Sequence, residues 1–205
     1  MHTKQITFTG TPLGESRKAL IMLHGRGASA ADILSLAQYL NIDGYSVLAP
    51  QAGNHTWYPF SFLSPIERNE PSLSSALTLM GDIVNDLIAG GVDRQDIYFL
   101  GFSQGACLAL EFAARHAAKY GGIAALTGGL IGERINTQHY SGDFLQTPVF
   151  LGTSDPDPHV PVERVYATSN IFKNMNAAVT EKIYANLGHR INEDEIAQLN
   201  RLIFT

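Results

Sequence analysis

The chain has 205 residues, 45% hydrophobic and 16% charged, enough for one α/β domain with a full core and too few for two of ordinary size. Its formal charge is −5 and no Lys/Arg cluster occurs, which argues against a nucleic-acid partner. The one cysteine, Cys107, rules out an internal disulfide framework and a cysteine-based metal cage, and no run of about 18 apolar residues is present to span a membrane. Met1 to Gln5 lead into no apolar run of signal length, so the expected setting is cytoplasmic.

Ile6 to Thr9 read as a short first strand. Ala19 to Leu23 form a continuous apolar run, as a strand buried on both faces requires, and it ends at His24-Gly25-Arg26-Gly27. Ser29 can cap the next helix, with Asp32 favourable in its first turn and Ile33, Leu34, Leu36, Ala37 and Leu40 on its apolar face. Ser46 to Ala49 read as a strand stopped by Pro50. From Gln51 to Pro71 no period survives, but Trp57, Tyr58, Phe60 and Phe62 argue against disorder; a loop this long is usually functional. Leu73 to Ile88 carry the strongest helical periodicity, closed by Gly90-Gly91.

Ile97 to Leu100 form a short β-type run before Gly101-Phe102-Ser103-Gln104-Gly105, and an apolar helical segment extends from Ala106 to about Tyr120. Ile123 to Leu126 are a strand ending at Thr127-Gly128-Gly129, and 130–147 are irregular. Val149 to Leu151 are a strand running out into Gly152-Thr153-Ser154-Asp155-Pro156-Asp157-Pro158-His159. Val162 to about Met175 can be helical, with Val162, Val165, Tyr166, Ser169 and Phe172 on one face. Val179 to Tyr184 are the last strand. Asn192 and Glu195 form a capping box for a final helix, with Ile191 and Ile196 as its hydrophobic staple.

This alternation predicts a mostly parallel sheet with helices on both faces, in which ligands bind outside the carboxyl ends of the strands. The unusual polar clusters, at 24–27, 51–62, 101–105, 127–129, 152–159 and 186–190, all fall at such ends. A serine between glycines at a strand-to-helix junction is the nucleophile-elbow arrangement. A serine hydroxyl needs a base within reach and a third group to fix the base's tautomer. His189, just past the last strand, is the best-placed base; His24 is read as ordering its glycine loop. The acid belongs between serine and histidine in chain order, and both Asp155 and Asp157 qualify. The oxyanion hole needs two backbone donors, and the Gln104 and Arg26 amides are the candidates. Gly25-x-Gly27-x-x-Ala30 also matches a dinucleotide fingerprint, but the acidic residue that site wants at the end of the next strand is missing. Cys107 reads as a small packed thiol, and no His/Asp/Glu set has metal-ligand spacing, so neither metal nor cofactor is expected.

The chain resembles the phospholipase/carboxylesterase branch of the α/β-hydrolases, related to acyl-protein thioesterases. The matching pieces are Leu23-His24-Gly25-Arg26-Gly27-Ala28, Pro50-Gln51-Ala52, Thr56-Trp57-Tyr58-Pro59, Gly101-Phe102-Ser103-Gln104-Gly105-Ala106, Gly128-Gly129-Leu130, Asp157-Pro158-His159-Val160-Pro161 and Gly188-His189-Arg190-Ile191-Asn192. The resemblance implies an α/β-hydrolase fold over 1–205 as one domain with no large cap. It implies Ser103 as nucleophile, His189 as base and the Arg26 and Gln104 amides as oxyanion hole. For the acid, counting from Gly152 points to Asp155 and counting back from Val160-Pro161 points to Asp157; the Asp-Pro-His-Val-Pro run favours Asp157. Trp57, Tyr58, Phe60 and Phe62 are expected to wall a substrate pocket. The implied activity is hydrolysis of small or single-chain esters. A thioesterase, a lysophospholipase, a lactone- or peroxide-directed enzyme and a non-catalytic binding scaffold are the alternatives, and a homodimer is compatible with the sequence.

Overall fold

A computed structural model describes residues 1–205. Seven strands form one sheet: β1 (Ile6–Gly10), β2 (Lys18–Leu23), β3 (Tyr45–Pro50), β4 (Ile97–Phe102), β5 (Gly122–Leu126), β6 (Pro148–Asp155) and β7 (Ala178–Ala185). Their spatial order is β1-β3-β2-β4-β5-β6-β7; β1 runs antiparallel to β3 and every other pairing is parallel. Five α-helices connect them: α1 (Ala30–Leu34), α2 (Ser72–Ala89), α3 (Gln104–Arg115), α4 (Val162–Asn174) and α5 (Glu193–Leu202). This is the α/β-hydrolase fold without a separate cap domain.

The apolar strand runs are explained by burial on both faces. Ala19, Ile21 and Leu23 of β2 face one core with α2, α3 and α4, while Leu20 and Met22 face the other with α1 and α5. The strand order reverses between β2 and β4: the chain leaves β2 toward β3 and returns past it to β4. That switch point is where ligands bind in such sheets, and the two loops leaving it are 24–29 and the Ser103 elbow.

Three boundaries differ most from the sequence expectation. α1 ends at Leu34, and Ser35–Tyr39 continue as a 3₁₀ helix rather than as α-helix through Leu40. α3 stops at Arg115 rather than near Tyr120. Tyr120 is fully buried, packs edge-on against Phe99 at 5.1 Å and donates its N–H to Thr147 Oγ1, so the chain turns away to fill the core. β6 continues four residues past Leu151, because Gly152 to Asp155 pair with Lys182 to Ala185 of β7. In α4, Tyr166 is 44% exposed and does not share the buried face of Val165, Ser169 and Phe172.

The helix starts read from sequence are present. Ser29 and Asp32 form a capping box at α1, and Asn192 and Glu195 form another at α5. The second is buried. Glu195 lies against the Cα of Gly152, where any side chain would overlap its carboxyl group. Its Oε2 accepts the Asn192 N–H at 3.0 Å, and its Oε1 has no partner. Burial raises this carboxyl to about 7 from its ordinary 4.5. The folded protein therefore holds a proton that the unfolded chain releases, and stability falls as pH rises from about 4.5 to about 7. Glu195→Gln keeps an acceptor for the cap and removes the charge. In urea melts at pH 5 and pH 8, the wild type is expected to lose on the order of 1–3 kcal/mol relative to the variant on going to pH 8. Parallel pH profiles for the two proteins would contradict this.

Candidate active site

The site begins with a turn that only glycines permit. β4 ends at Phe102 and α3 begins at Gln104, leaving Ser103 alone at the corner with φ 53° and ψ −117°. A side chain at Gly101 would overlap the Gly105 carbonyl, and one at Gly105 would overlap the Leu23 carbonyl of β2. The strained serine, at a typical cost of about 1–3 kcal/mol, is fixed on both sides: its N–H donates to the Leu126 carbonyl at 2.9 Å, and its own carbonyl accepts the Cys107 N–H at 3.0 Å.

His189 reaches this serine from the end of β7. Its Nε2 lies 2.8 Å from Ser103 Oγ, and its Nδ1 lies 2.9 and 3.2 Å from the two carboxylate oxygens of Asp157. Asp157 has a fully buried side chain, and its Oδ1 also accepts the N–H groups of His159 and Val160 at 2.8 and 2.9 Å. With those oxygens accepting, the Nδ1 atom of His189 carries the proton and Nε2 is left to accept from the serine hydroxyl. The imidazole stands between Phe102 and His159, with ring centroids at 5.3 and 4.9 Å. Gly188 N–H donates to Ser154 Oγ at 2.9 Å and steadies the loop. Asp155 ends β6 with an exposed side chain and contributes through its carbonyl, which accepts the Asn186 N–H at 3.0 Å. Of the two candidate acids, Asp157 is the one beside His189.

The glycine loop after β2 faces the elbow so closely that a Cβ on Gly25 would meet Ser103 Cβ at 3.5 Å. Gln104 is the first residue of α3, so its N–H has no intrahelical partner. The Arg26 N–H belongs to the loop on the opposite side. The side chains of the same two residues hold the aromatic segment. Arg26 donates from Nη1 to Thr56 Oγ1 and the Pro59 carbonyl at 3.0 and 2.9 Å, and from Nη2 to the Tyr58 and Phe60 carbonyls at 2.9 and 2.7 Å. Gln104 Oε1 accepts the Trp57 N–H at 2.9 Å, and its amide donates to the Tyr58 carbonyl at 2.8 Å. His24 is buried beneath. Its Nδ1 donates to the Gly25 carbonyl at 2.8 Å while Nε2 accepts the Ala52 N–H at 3.1 Å, which fixes the neutral tautomer; burial lowers its pKa in the same sense.

A groove of about 810 Å³ runs over Ser103. Phe60, Phe62, Leu63 and Val160 give it apolar walls, backed by the nearly fully buried Tyr58 and Cys107, with Ser103 in its lining. Trp57 does not line it. The indole is fully buried, stacks near His24 at 5.1 Å and donates to the His24 carbonyl at 2.9 Å, so it anchors the loop from below. Burial pushes the Cys107 thiol up to about 12, which leaves it a packed thiol and not a nucleophile. Phe102 and His159 flank the imidazole. Nothing in the sequence marks Phe102 beyond its place one before the elbow serine, whereas His159 follows the acid loop, which lets it approach the site although its order is wrong for the base. No group of three His, Cys, Asp or Glu is arranged to hold a metal ion, and no helix is long and apolar enough to cross a membrane.

The family model described as Phospholipase/Carboxylesterase matches residues 5–205. The chain belongs to this family. Its structure superimposes with a TM-score of 0.98 on a phospholipase/carboxylesterase from Dyadobacter fermentans DSM 18053, at 51% identity over 100% of this chain and 98% of that one. The Saccharomyces cerevisiae acyl-protein thioesterase 1 is 30% identical, with 92% of each chain covered. Arabidopsis thaliana SOBER1, in its L63A form, is similar at a TM-score of 0.74 and 25% identity, over 90% of this chain and 96% of that one.

The Arg26 clamp can be tested without assaying chemistry. Arg26→Ala leaves the backbone N–H in place but removes four hydrogen bonds to the 56–60 segment. Hydrogen bonds to a charged group contribute about 1.5–3 kcal/mol each at most, and less at an exposed site. We expect a drop of several degrees in Tm and faster proteolytic cleavage within 56–63, with the rest of the chain resistant. Unchanged cleavage at that segment would show that Trp57 and Gln104 hold it alone.

Proposed function

We propose that the chain is a serine carboxylesterase that hydrolyses small or single-chain carboxylic esters through an acyl-enzyme, with residues 1–205 as one catalytic domain. The observation that carries this reading is the unbroken hydrogen-bonded series Ser103, His189, Asp157 at the floor of an apolar groove.

The steps follow from that geometry. Ser103 Oγ attacks the ester carbonyl as His189 Nε2 takes its proton. Asp157, held by two backbone N–H groups, keeps the imidazole in the Nδ1–H tautomer and stabilises the imidazolium. The developing oxyanion rests on the Arg26 and Gln104 amides, the latter at the positive end of α3. Each such donor is worth about 10²–10³ in rate. His189 then protonates the departing alcohol, and a water activated by the same nitrogen cleaves the acyl-enzyme. Tyr58, Phe60 and Phe62 are the proposed walls for the ester's apolar part.

An acyl-thioester would be cleaved by the same residues, since sulfur needs no additional group to leave. The similarity to a protein named acyl-protein thioesterase 1 favours this as the second reading. A chain-length series of p-nitrophenyl esters beside matched acyl-thioesters separates the two.

With p-nitrophenyl acetate and butyrate as substrates, Ser103→Ala is expected to lose turnover by at least about 10³-fold, and equal activity in the mutant would sink the assignment. Asp157→Asn is expected to lower kcat by about 10⁴, because the wrong tautomer is favoured. Asp155→Asn should stay within a few-fold of wild type. A larger loss at 155 than at 157 would reverse the assignment of the acid.

A further inference from the structure

The groove's charge runs against that of the chain. Acidic residues outnumber Lys and Arg by 19 to 14, yet no carboxylate lines the groove, whose ionisable side chains are Arg26, Cys107, Tyr58 and the two histidines His159 and His189. Asp157, the carboxylate that pairs with a lining residue, has a buried side chain and is occupied by His189 and two N–H groups. His159 is exposed, and its one hydrogen bond is through the main chain, where its N–H donates to Asp157. The imidazole itself is thus held by packing alone, edge-on to His189 with ring centroids 4.9 Å apart.

That position has a meaning if the ester chemistry proposed above holds, and the inference rests on that reading. The leaving oxygen must receive its proton from His189 Nε2, so the alcohol departs beside this ring. Whatever the alcohol carries a few bonds from the ester oxygen then passes along the His159 imidazole. We propose that His159 is a specificity-determining residue that recognises an anionic group, a carboxylate or a phosphate, on the leaving alcohol. A ring N–H offers a hydrogen bond to such an oxygen, and no carboxylate in the groove lining competes with the anion for it. The acyl side of the same groove keeps the apolar contacts of Tyr58, Phe60 and Phe62.

The test uses three butyryl esters with the same acyl part: 4-butyryloxybenzoate, its methyl ester, and 4-butyryloxyphenyl phosphate. For each, kcat/KM is measured with wild type, His159→Leu and His159→Gln, with Ser103→Ala as the control. Comparing ratios between variants cancels the intrinsic reactivity of the esters. The expected result is that His159→Leu lowers the anionic-to-neutral ratio by about five- to tenfold for at least one anion, the range for a charge-assisted hydrogen bond at an open site. His159→Gln, which retains a donor, should fall between. Which anion responds identifies the preferred leaving group. If His159→Leu lowers all three esters by the same factor, the ring only supports His189 and the proposal is overturned. If the ratio does not move at all, it is overturned as well. Turnover that persists in Ser103→Ala would instead overturn the esterase reading, and the inference with it.

Discussion

The site depends on one contact made without side chains. The N-terminal turn of α3 lies so close to the end of β2 that Gly105 meets the Leu23 carbonyl directly, and Gly25 in turn lies over Ser103. Any side chain at Gly105 would push the helix away. Because the two backbones touch, the loop after β2 and the first turn of α3 are held on either side of the same serine. The strand reversal between β2 and β4 is what brings them side by side. Oxyanion stabilisation at such a place comes from donors fixed before the reaction, with little reorganisation as charge develops.

From this contact the aromatic segment is suspended. Arg26 and Gln104 each have two assignments: the main chain belongs to the proposed oxyanion hole, and the side chain grips residues 56–60. His24 and Trp57 lock the underside, ring against ring, with the indole donating to the His24 carbonyl. A long loop whose only regular structure is two short 3₁₀ turns, Gly53–His55 and Ile66–Asn69, is thus anchored from both sides of the serine elbow. Displacing it would disturb Arg26 and Gln104 themselves, so groove shape and the proposed oxyanion geometry are mechanically coupled. The absence of a cap domain leaves this loop as the main wall over the apolar side.

Much of this was legible in the sequence because it follows from local rules. Glycines two before and two after Ser103 announce a turn that excludes side chains. Asn192 with Glu195 announces the start of α5, and the apolar strand runs announce burial on both faces. What stayed hidden depends on tertiary neighbours. Gly152-Thr153-Ser154 reads as a strand end, but pairing with β7 carries β6 on to Asp155. That extension is what leaves Asp155 at the end of the strand and Asp157 in the loop beside His189, a distinction no local propensity encodes. Composition groups Trp57 with the groove aromatics, because it does not say which ring turns inward. The answer lies in His24, 33 residues away, whose carbonyl accepts the indole N–H. Tyr120 likewise reads as helical by local pattern, and its burial against Phe99 places it outside α3.

The pairing of β6 with β7 also explains how two groups from different loops come within hydrogen-bond distance. The strands are in register through Asp155 and Ala185, and the next rung is made by Asn186 N–H on the Asp155 carbonyl. Asp157 is therefore two residues beyond the ladder on one side and His189 four beyond on the other. A short span leaves little conformational freedom to lose, and what remains is removed by Gly188 N–H on Ser154 Oγ and by the N–H groups of His159 and Val160 on Asp157. Glu195 caps Asn192 at the start of α5, and its carboxyl fills the space over Gly152 of β6. The same residue thus ties the helix that follows His189 to the strand that precedes Asp157. Burying a carboxyl there opposes stability at neutral pH, and the geometry it secures is the separation of the proposed acid from the proposed base.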